Sequence, residues 1–524
     1  MDFRARFAPS PTGQVHIGNI RTAIFNWLEA RHNKGTFLLR IEDTDLERST
    51  QDAINKLMEC MQWLGMDYDE EPMYQTAQGE KHKASAQKLL DSKKAYKLDP
   101  AAEKSPVVFK FPYRCDNFEF IRQCGAAELA LAPDSKVSFN QTGITFFTVT
   151  SKGKVVDNNQ TLAGFKDLEI LDADGNVLYK LDDAGYDALS DDPGKKVEVE
   201  HAAKLKFQRR EVFYKDLVKG ELAKPIDSMK DFIIVRTDGS PVFHLANVYD
   251  DIEQRVTHIV RGDDHVENTY KHLFLFKALG YPEPSYAHLP MIVNQQGKPY
   301  SKRDGDAFVG DFRAKGFLAQ ALFNYLALLG WSPGDDREKL NREELIEAFS
   351  LERALRSPAQ MDMKKLTNLN GQYIAELPHE EYMKYVLDYL PAEYAQNPKL
   401  EAVAKLMHSR VKTFADVAGW KYFFVGTDEL EYDPKGVQKF LSGDTFRQPL
   451  EQLSAKIAAS DGSAAAVEEA IHAVEETNGI KQGHLNQPLR VAVTGTTVGA
   501  GMSETVEVLG KDETCARIAR ALSL

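Results

Sequence analysis

Cysteine is scarce in this chain: Cys60, Cys115, Cys124 and Cys515 are the only four among 524 residues, and none forms a CxxC pair. That excludes a disulfide framework and a thiolate zinc cluster, and it fits reduced thiols. Long apolar runs are also missing. None approaches the 18 or so residues that a membrane-spanning helix needs. No basic-then-apolar leader precedes the first predicted strand, so the expectation is a cytoplasmic protein with no membrane partner. Positive charge is in deficit: 65 Lys and Arg stand against 78 Asp and Glu, a net charge of −13. A uniformly basic nucleic-acid binder is thereby excluded, although a local basic face is not. Two stretches are locally basic, Lys204 to Lys219 and Arg410 to Lys421, and each reads equally as a solvated face. Short repeats and low-complexity tracts are absent as well, which argues against a solenoid.

What is present is an ordinary globular composition, 43% hydrophobic and 27% charged, on a chain long enough for about three or four domains. The most informative stretch is RFAPSPTGQVHIGN, Arg6 to Asn19. A strand runs into a Pro/Gly turn and then a histidine beside a helix start. The next apolar positions, Ile20, Ala23, Ile24, Trp27 and Leu28, follow helical spacing, and FLLRIE (Phe37 to Glu42) reads as a buried strand. The unit is βαβ. A helix N-terminus offers free N–H groups and a positive dipole end to phosphate, Gly13 and Gly18 allow close backbone approach, and His16 can donate to a phosphate oxygen.

HIGN resembles the HIGH-type signature of class I aminoacyl-tRNA synthetases. The longer string, continuing RTAIFNWLEARHNKGTFLLRIEDTDLERS to Ser49, is similar to the glutamyl/glutaminyl branch. Some forty contiguous residues carry the resemblance, against an unrelated strand-turn-helix as the alternative. It implies an α/β multidomain protein: a class I Rossmann-type catalytic domain, an inserted acceptor-binding α+β domain, and an all-α C-terminal anticodon-binding domain. The expected bounds are 1–91 and 240–315 for the two catalytic halves, 92–239 for the insertion, 316–376 for a stem-contact helical region and 377–524 for the tail. The implied reaction is ATP-dependent activation of L-glutamate and its transfer to tRNA(Glu). Glutamine ligation shares the core, but a helical tail favours glutamate. An inactive tRNA-binding relative is the remaining alternative.

Activation sets a carboxylate against the α-phosphorus of ATP, so cations and N–H donors must meet charge on the phosphoryl oxygens. SKR (Ser301, Lys302, Arg303), within GKPYSKRDGDAF, resembles the second class I signature. The resemblance assigns catalysis to His16 and Lys302, and ATP binding to Thr12, Gly13, His16, Gly18, Ser301, Lys302 and Arg303. Aligned on SKR, the family's first lysine falls on Pro299, and Lys298 is expected to substitute. Residue matching gives a glutamate pocket of Arg6, Ser10, Glu42, Phe243, Asn247 and Arg261. Arginine suits a carboxylate because its fork binds bidentately. Phe243 stands where the family usually has tyrosine, which removes one hydroxyl.

Between VVFKFP (Val107 to Pro112) and VFYKDLVKGEL (Val212 to Leu222), pieces that lie close together in the family, this chain inserts about a hundred residues. The runs KVSF, ITFFTVT, KVV, LEIL and VLYKL, with turns at Asn140 to Gly143, Ser151 to Gly153 and Asp172 to Gly175, predict a β-rich meander over about 113–206. DADGN lacks the EF-hand spacing and reads as a hairpin turn. The family's occasional zinc ligands are missing from AYKLDP (Ala95 to Pro100), so no zinc and no other metal site is expected; magnesium enters with ATP as substrate. A monomer is the family expectation.

Overall fold

The computed structural model describes residues 2–11, 13–44, 49–192 and 194–524. The chain separates into two compact units, 1–309 with 326–361, and 310–325 with 362–524.

In the first unit, β1 (Arg4–Phe7) leads to α1 (Ile17–His32), and β2 (Thr36–Ile41) returns parallel to β1 with Arg6 opposite Leu38. α1 buries the predicted apolar face, but Arg21 and Asn26 are buried with it. Next come α2 (Gln51–Trp63), capped by Thr50, then β3 (Met73–Tyr74) and α3 (Gly79–Asp91). β4 (Ala95–Lys97) and β5 (Val107–Phe109) begin a small antiparallel sheet.

The inserted segment holds β6 (Ile121–Phe139), β7 (Gly143–Val149), β8 (Val155–Thr161), β9 (Lys166–Leu171), β10 (Val177–Leu181), α4 (Asp183–Ser190) and β11 (Val197–Asp216). β12 (Gly220–Pro225) pairs with β11, and β13 (Phe232–Val235) completes the small sheet. The nucleotide fold resumes with α5 (Phe243–Glu253), β14 (His258–Gly262), α6 (Val266–Leu279) and β15 (Ser285–Leu289).

The main sheet runs β3-β2-β1-β14-β15-β11-β6-β7-β8, and its first five strands are parallel. Strand order reverses between β1 and β14, so the crevice at their carboxyl ends is where an open α/β sheet takes a ligand.

The predicted turns are present. Asn140 Oδ1 accepts from the N–H of Thr142 and Gly143, and Asp172 Oδ1 accepts from Asn176 N, closing the β9–β10 hairpin. The β-rich insert grows from longer strands than its short apolar runs imply. β6 and β11 are strands of 19 and 20 residues that pair along most of their length, and β11 then runs parallel beside β15. Short apolar runs did not reveal these long strands, because much of β6 is solvated and carries no strong alternation. The insert has its own core, including Phe139, Phe146, Phe165, Leu168 and Phe207. It is tied to its root by the fully buried Arg210, which donates to the carbonyls of Tyr113 and Ala163 and pairs with Asp116.

The basic stretch on β11 is largely neutralised. Lys204 pairs with Glu128, Lys206 with Glu169, Arg209 with Asp227 and Lys219 with Asp263. In the second stretch, Arg410 meets Glu504 and Lys421 meets Glu431.

The second unit is helical, with no strand among its described residues. Its core gathers Val403, Trp420, Leu453, Ile471, Leu489, Val506 and Ile518. Arg517, fully buried, donates to the carbonyls of Tyr422, Val425 and Val493 and pairs with Glu513, satisfying carbonyls at or just past helix ends that would otherwise be orphaned. Among the described residues no helix is long and apolar enough to cross a membrane.

Candidate active site

A cavity of about 590 Å³ opens at the reversal point, lined from Arg6 to Ser10 after β1, by His16 and Gly18 at the head of α1, and by Arg261 at the end of β14. Its two ends are built differently.

At the helix end, His16 caps α1: Nδ1 accepts from Gly18 N at 3.1 Å, which assigns the ring proton to Nε2. A side chain on Gly18 would come within 3.3 Å of that ring nitrogen. Burial lowers the His16 pKa, outweighing the Tyr300 carbonyl that raises it, so the imidazole is neutral at pH 7. Gly13 adopts φ 127°, a conformation that needs glycine, but it does not line the cavity. Thr12 lies outside the described residues.

The SKR loop returns to this point. Phe308 bridges to His16 through the backbone, Ile17 N donates to Ala307 O, and the Phe308 ring stands edge-on to His16 at 5.9 Å. Lys302 Nζ lies 5.8 Å from the centre of the same ring. Ser301 gives both its N–H and its hydroxyl to Asp304 at 2.9 Å, which fixes the turn. Ser301, Lys302 and Arg303 border the site without lining the cavity.

Pro299 has a physical explanation. Asn294 N donates to Lys298 O and Tyr300 N to Ile292 O, so Pro299 sits opposite Val293 at a hairpin position that asks for no N–H. Pro299 and Tyr300 line the cavity, whereas Lys298 does not.

The other end is a buried charge network. Asp251 accepts from Arg6 Nε at 2.8 Å and Nη2 at 3.4 Å, and from Arg40 Nη1 at 2.5 Å. Arg40 Nη2 reaches Glu42 Oε1 at 3.2 Å, and Asn247 Nδ2 donates to the same oxygen at 3.0 Å. Burial alone would raise the Asp251 pKa, but Arg40 and Arg6 override it and hold the carboxyl below its usual range. Among the described residues Arg261 hydrogen-bonds only neutral groups: Nε donates to His288 Nε2 at 3.2 Å, and Nη2 to Thr269 Oγ1 at 2.7 Å and to the His265 carbonyl at 3.3 Å. Its Nη1 is buried without a hydrogen-bond partner. Burial lowers its pKa.

Three guanidiniums (Arg6, Arg40, Arg261) thus gather near the carboxylates Asp251 and Glu42, while neighbouring Asp250, which also acts on Arg40, hydrogen-bonds Gln75 and His82, and Asp264 lines the cavity as well. Ser10 and Phe243 also line the cavity, with the Phe243 ring against His265 at 5.5 Å. Burial and then Arg261 push the His265 pKa down to about 4. All six residues predicted for the amino-acid pocket therefore line one cavity.

These features have counterparts in known proteins. Residues 2–105 and 191–368 match the family of class I tRNA synthetases (E and Q), catalytic domain, and residues 380–522 match an anticodon binding domain. A glutamate–tRNA ligase of Geotalea uraniireducens is 37% identical across 100% of this chain and 98% of its own length. One from Syntrophobacter fumaroxidans is 35% identical across 99% and 97%. The chain belongs to the glutamate–tRNA ligase family. A solved glutamate tRNA ligase from Elizabethkingia meningosepticum, crystallised with its amino acid, is 26% identical with a TM-score of 0.67, covering 100% of this chain and 99% of that one. The catalytic-family match omits 106–190, most of the segment that carries the insert's strands.

Asp251, Arg40, Asp216, His288 and His265 escaped sequence reasoning. The signal for two of them was available: Arg40 interrupts the apolar strand FLLRIE, and His288 interrupts SYAHL. A polar group at a buried position needs a partner elsewhere in the chain.

Proposed function

We propose that this chain is a glutamate–tRNA ligase that forms glutamyl-adenylate from L-glutamate and ATP and transfers the glutamyl group to tRNA(Glu). One observation carries the reading: a cavity lined at one end by Arg6 and Arg261 beside Glu42, with Arg261 making no ion pair among the described residues, and at the other by a neutral, helix-capping histidine. Glutamate brings a side-chain carboxylate as counter-ion for such a guanidinium. Glutamine does not.

In this mechanism Glu42 and Asn247 receive the substrate ammonium and its surroundings, and Arg6 and Arg261 meet carboxylate. The α-carboxylate oxygen attacks the α-phosphorus, the bond to the bridging oxygen breaks, and pyrophosphate leaves. His16 donates from Nε2 to a phosphoryl oxygen, and Lys302 follows the departing pyrophosphate as a mobile point charge. Gly18, Ser301 and Arg303 complete the nucleotide side, with Gly13 in the connecting turn and Thr12 as a further ATP-binding residue. Magnesium arrives with ATP, held chiefly by phosphate and water. Residues 92–239 serve the acceptor arm and the helical tail reads the anticodon. The protein acts as a cytoplasmic monomer, consistent with four free cysteines.

The test is aminoacylation of tRNA(Glu) and tRNA(Gln) with glutamate and with glutamine, alongside pyrophosphate exchange in the presence of tRNA. Charging of tRNA(Glu) with glutamate is expected. Arg6→Ala should lower kcat/KM for glutamate at least tenfold and shrink its preference over glutamine, because one guanidinium of the pocket is lost. Preferred charging with glutamine would overturn the proposal.

A further inference from the structure

The insert's longest strand ends in a carboxylate at the back of the amino-acid pocket. Asp216, the last residue of β11, is buried, and its Oδ1 accepts from Val218 N at 2.9 Å and Lys219 N at 2.7 Å. The carboxylate also accepts from His288 N at 3.1–3.2 Å, and Oδ2 lies 2.6 Å from His288 Nδ1. Across the ring, His288 Nε2 lies 3.2 Å from Arg261 Nε and 3.1 Å from Thr269 Oγ1.

A guanidinium can only donate, so His288 Nε2 must be unprotonated to receive Arg261. A carboxylate can only accept, so Nδ1 must carry the proton. The two ends of the ring require the same tautomer, the one with hydrogen on Nδ1. Burial lowers the His288 pKa although Asp216 raises it, which agrees with a neutral ring. Burial raises the Asp216 pKa, but the bond to His288 and the two backbone N–H groups bring it below the usual range. Arg261 makes no ion pair among the described residues, so its direction depends on these neutral acceptors.

We propose that Asp216 and His288 are positioning residues for glutamate recognition: Asp216 fixes the His288 tautomer, and His288 Nε2 aims Arg261 at the substrate carboxylate. The proposal rests on Arg261 contacting glutamate, as in the function proposed above. Asp216→Asn is nearly isosteric. Its amide oxygen would stay with the backbone N–H groups, so its NH2 would face Nδ1, which moves the ring proton to Nε2 and sets it against Arg261 Nε–H. Second-layer groups that fix a histidine tautomer commonly govern function by ten- to a hundredfold.

A double-mutant cycle reads this directly. His288→Gln places an amide oxygen near the position of Nε2 and needs no tautomer set by Asp216. In wild-type background, Asp216→Asn is expected to raise KM for glutamate about tenfold or more, with kcat within about threefold and KM for ATP within about twofold. His288→Gln should stay within about threefold of wild type, and adding Asp216→Asn to it should then change KM less than about threefold. An equal cost in both backgrounds would mean that Asp216 serves only its own turn, and would overturn the relay. So would an unchanged KM in the single variant. If Asp216→Asn does not fold, His288→Leu replaces it: a folded Leu variant with wild-type KM overturns the relay, and a raised KM beside a normal Gln variant supports it. Arg261→Ala is run in parallel. If it leaves KM for glutamate unchanged, the glutamate-binding assignment itself fails, independently of the relay.

Discussion

The two ends of the catalytic cavity solve opposite problems. The amino-acid end is dry and interlocked: Arg6, Arg40 and Asp251 are each at most 3% exposed, and each charged group is held by others far away in sequence. The end proposed for phosphate is more open, with His16 bonded two residues ahead, Ser301 three residues ahead, the two strings joined by backbone contacts from Ala307 and Phe308, and Lys302 exposed over the Phe308 ring. A selective pocket for a small acid needs fixed, desolvated charge, because charge discriminates most strongly where water is excluded. A site for a departing pyrophosphate needs cations that can move.

The contrast can be broken most forcefully at Asp251. Asp251→Ala leaves Arg6 without its carboxylate, so the protein should lose about 3–5 kcal/mol of stability, measured by denaturant titration. A loss below about 1 kcal/mol would show that the interlocked end does not depend on this carboxylate. At the phosphate end, His16→Ala should lower single-turnover adenylate formation by about 10²–10³-fold while tRNA affinity changes little, because one transition-state donor is lost. An unchanged rate would remove His16 from the chemistry.

Lys302→Ala should reduce activation by about a hundredfold, whereas Lys298→Ala should stay within about threefold, since Lys302 stands over the Phe308 ring beside His16 and Lys298 does not line the cavity. Equal losses would contradict that contrast. The smallest expected effect is a flat line. The His16 pKa is lowered in the folded protein, so the ring is predominantly neutral from pH 8 down to 7, and kcat for adenylation should show no rise over that interval from protonation of His16. A rate that climbs as pH falls, and loses that climb in His16→Ala, would mean that the cationic ring does the work.

Legibility in the sequence followed the same division. His16, Gly18 and Lys302 sit in contiguous strings whose spacing carries their placement, so the phosphate end could be read locally. Arg6, Glu42, Asn247 and Arg261 were found by matching separate strings, and the fold brings them to one cavity. Their partners were not legible. Asp251 joins Arg6 to Arg40 across more than two hundred residues, and no local pattern says which carboxylate a buried arginine will meet. At the surface, Lys204 to Lys219 looked basic in one dimension, but cross-strand neighbours on β6 and β9 supply part of the compensating acid.

By itself the sequence determined the βαβ start, the helical tail, the hairpin turns of the insert and the two catalytic signatures. All of these rest on spacings of a few residues, where backbone geometry is decided by neighbours. Only the tertiary structure decided that the insert grows from β11 as an extension of the catalytic sheet, that Pro299 rather than Lys298 lines the cavity, and that Asp216 reaches Arg261 through His288. Strand register and the pairing of buried charges depend on segments that meet only when the chain is folded, and desolvation, absent from the open chain, is what makes each of those pairings obligatory.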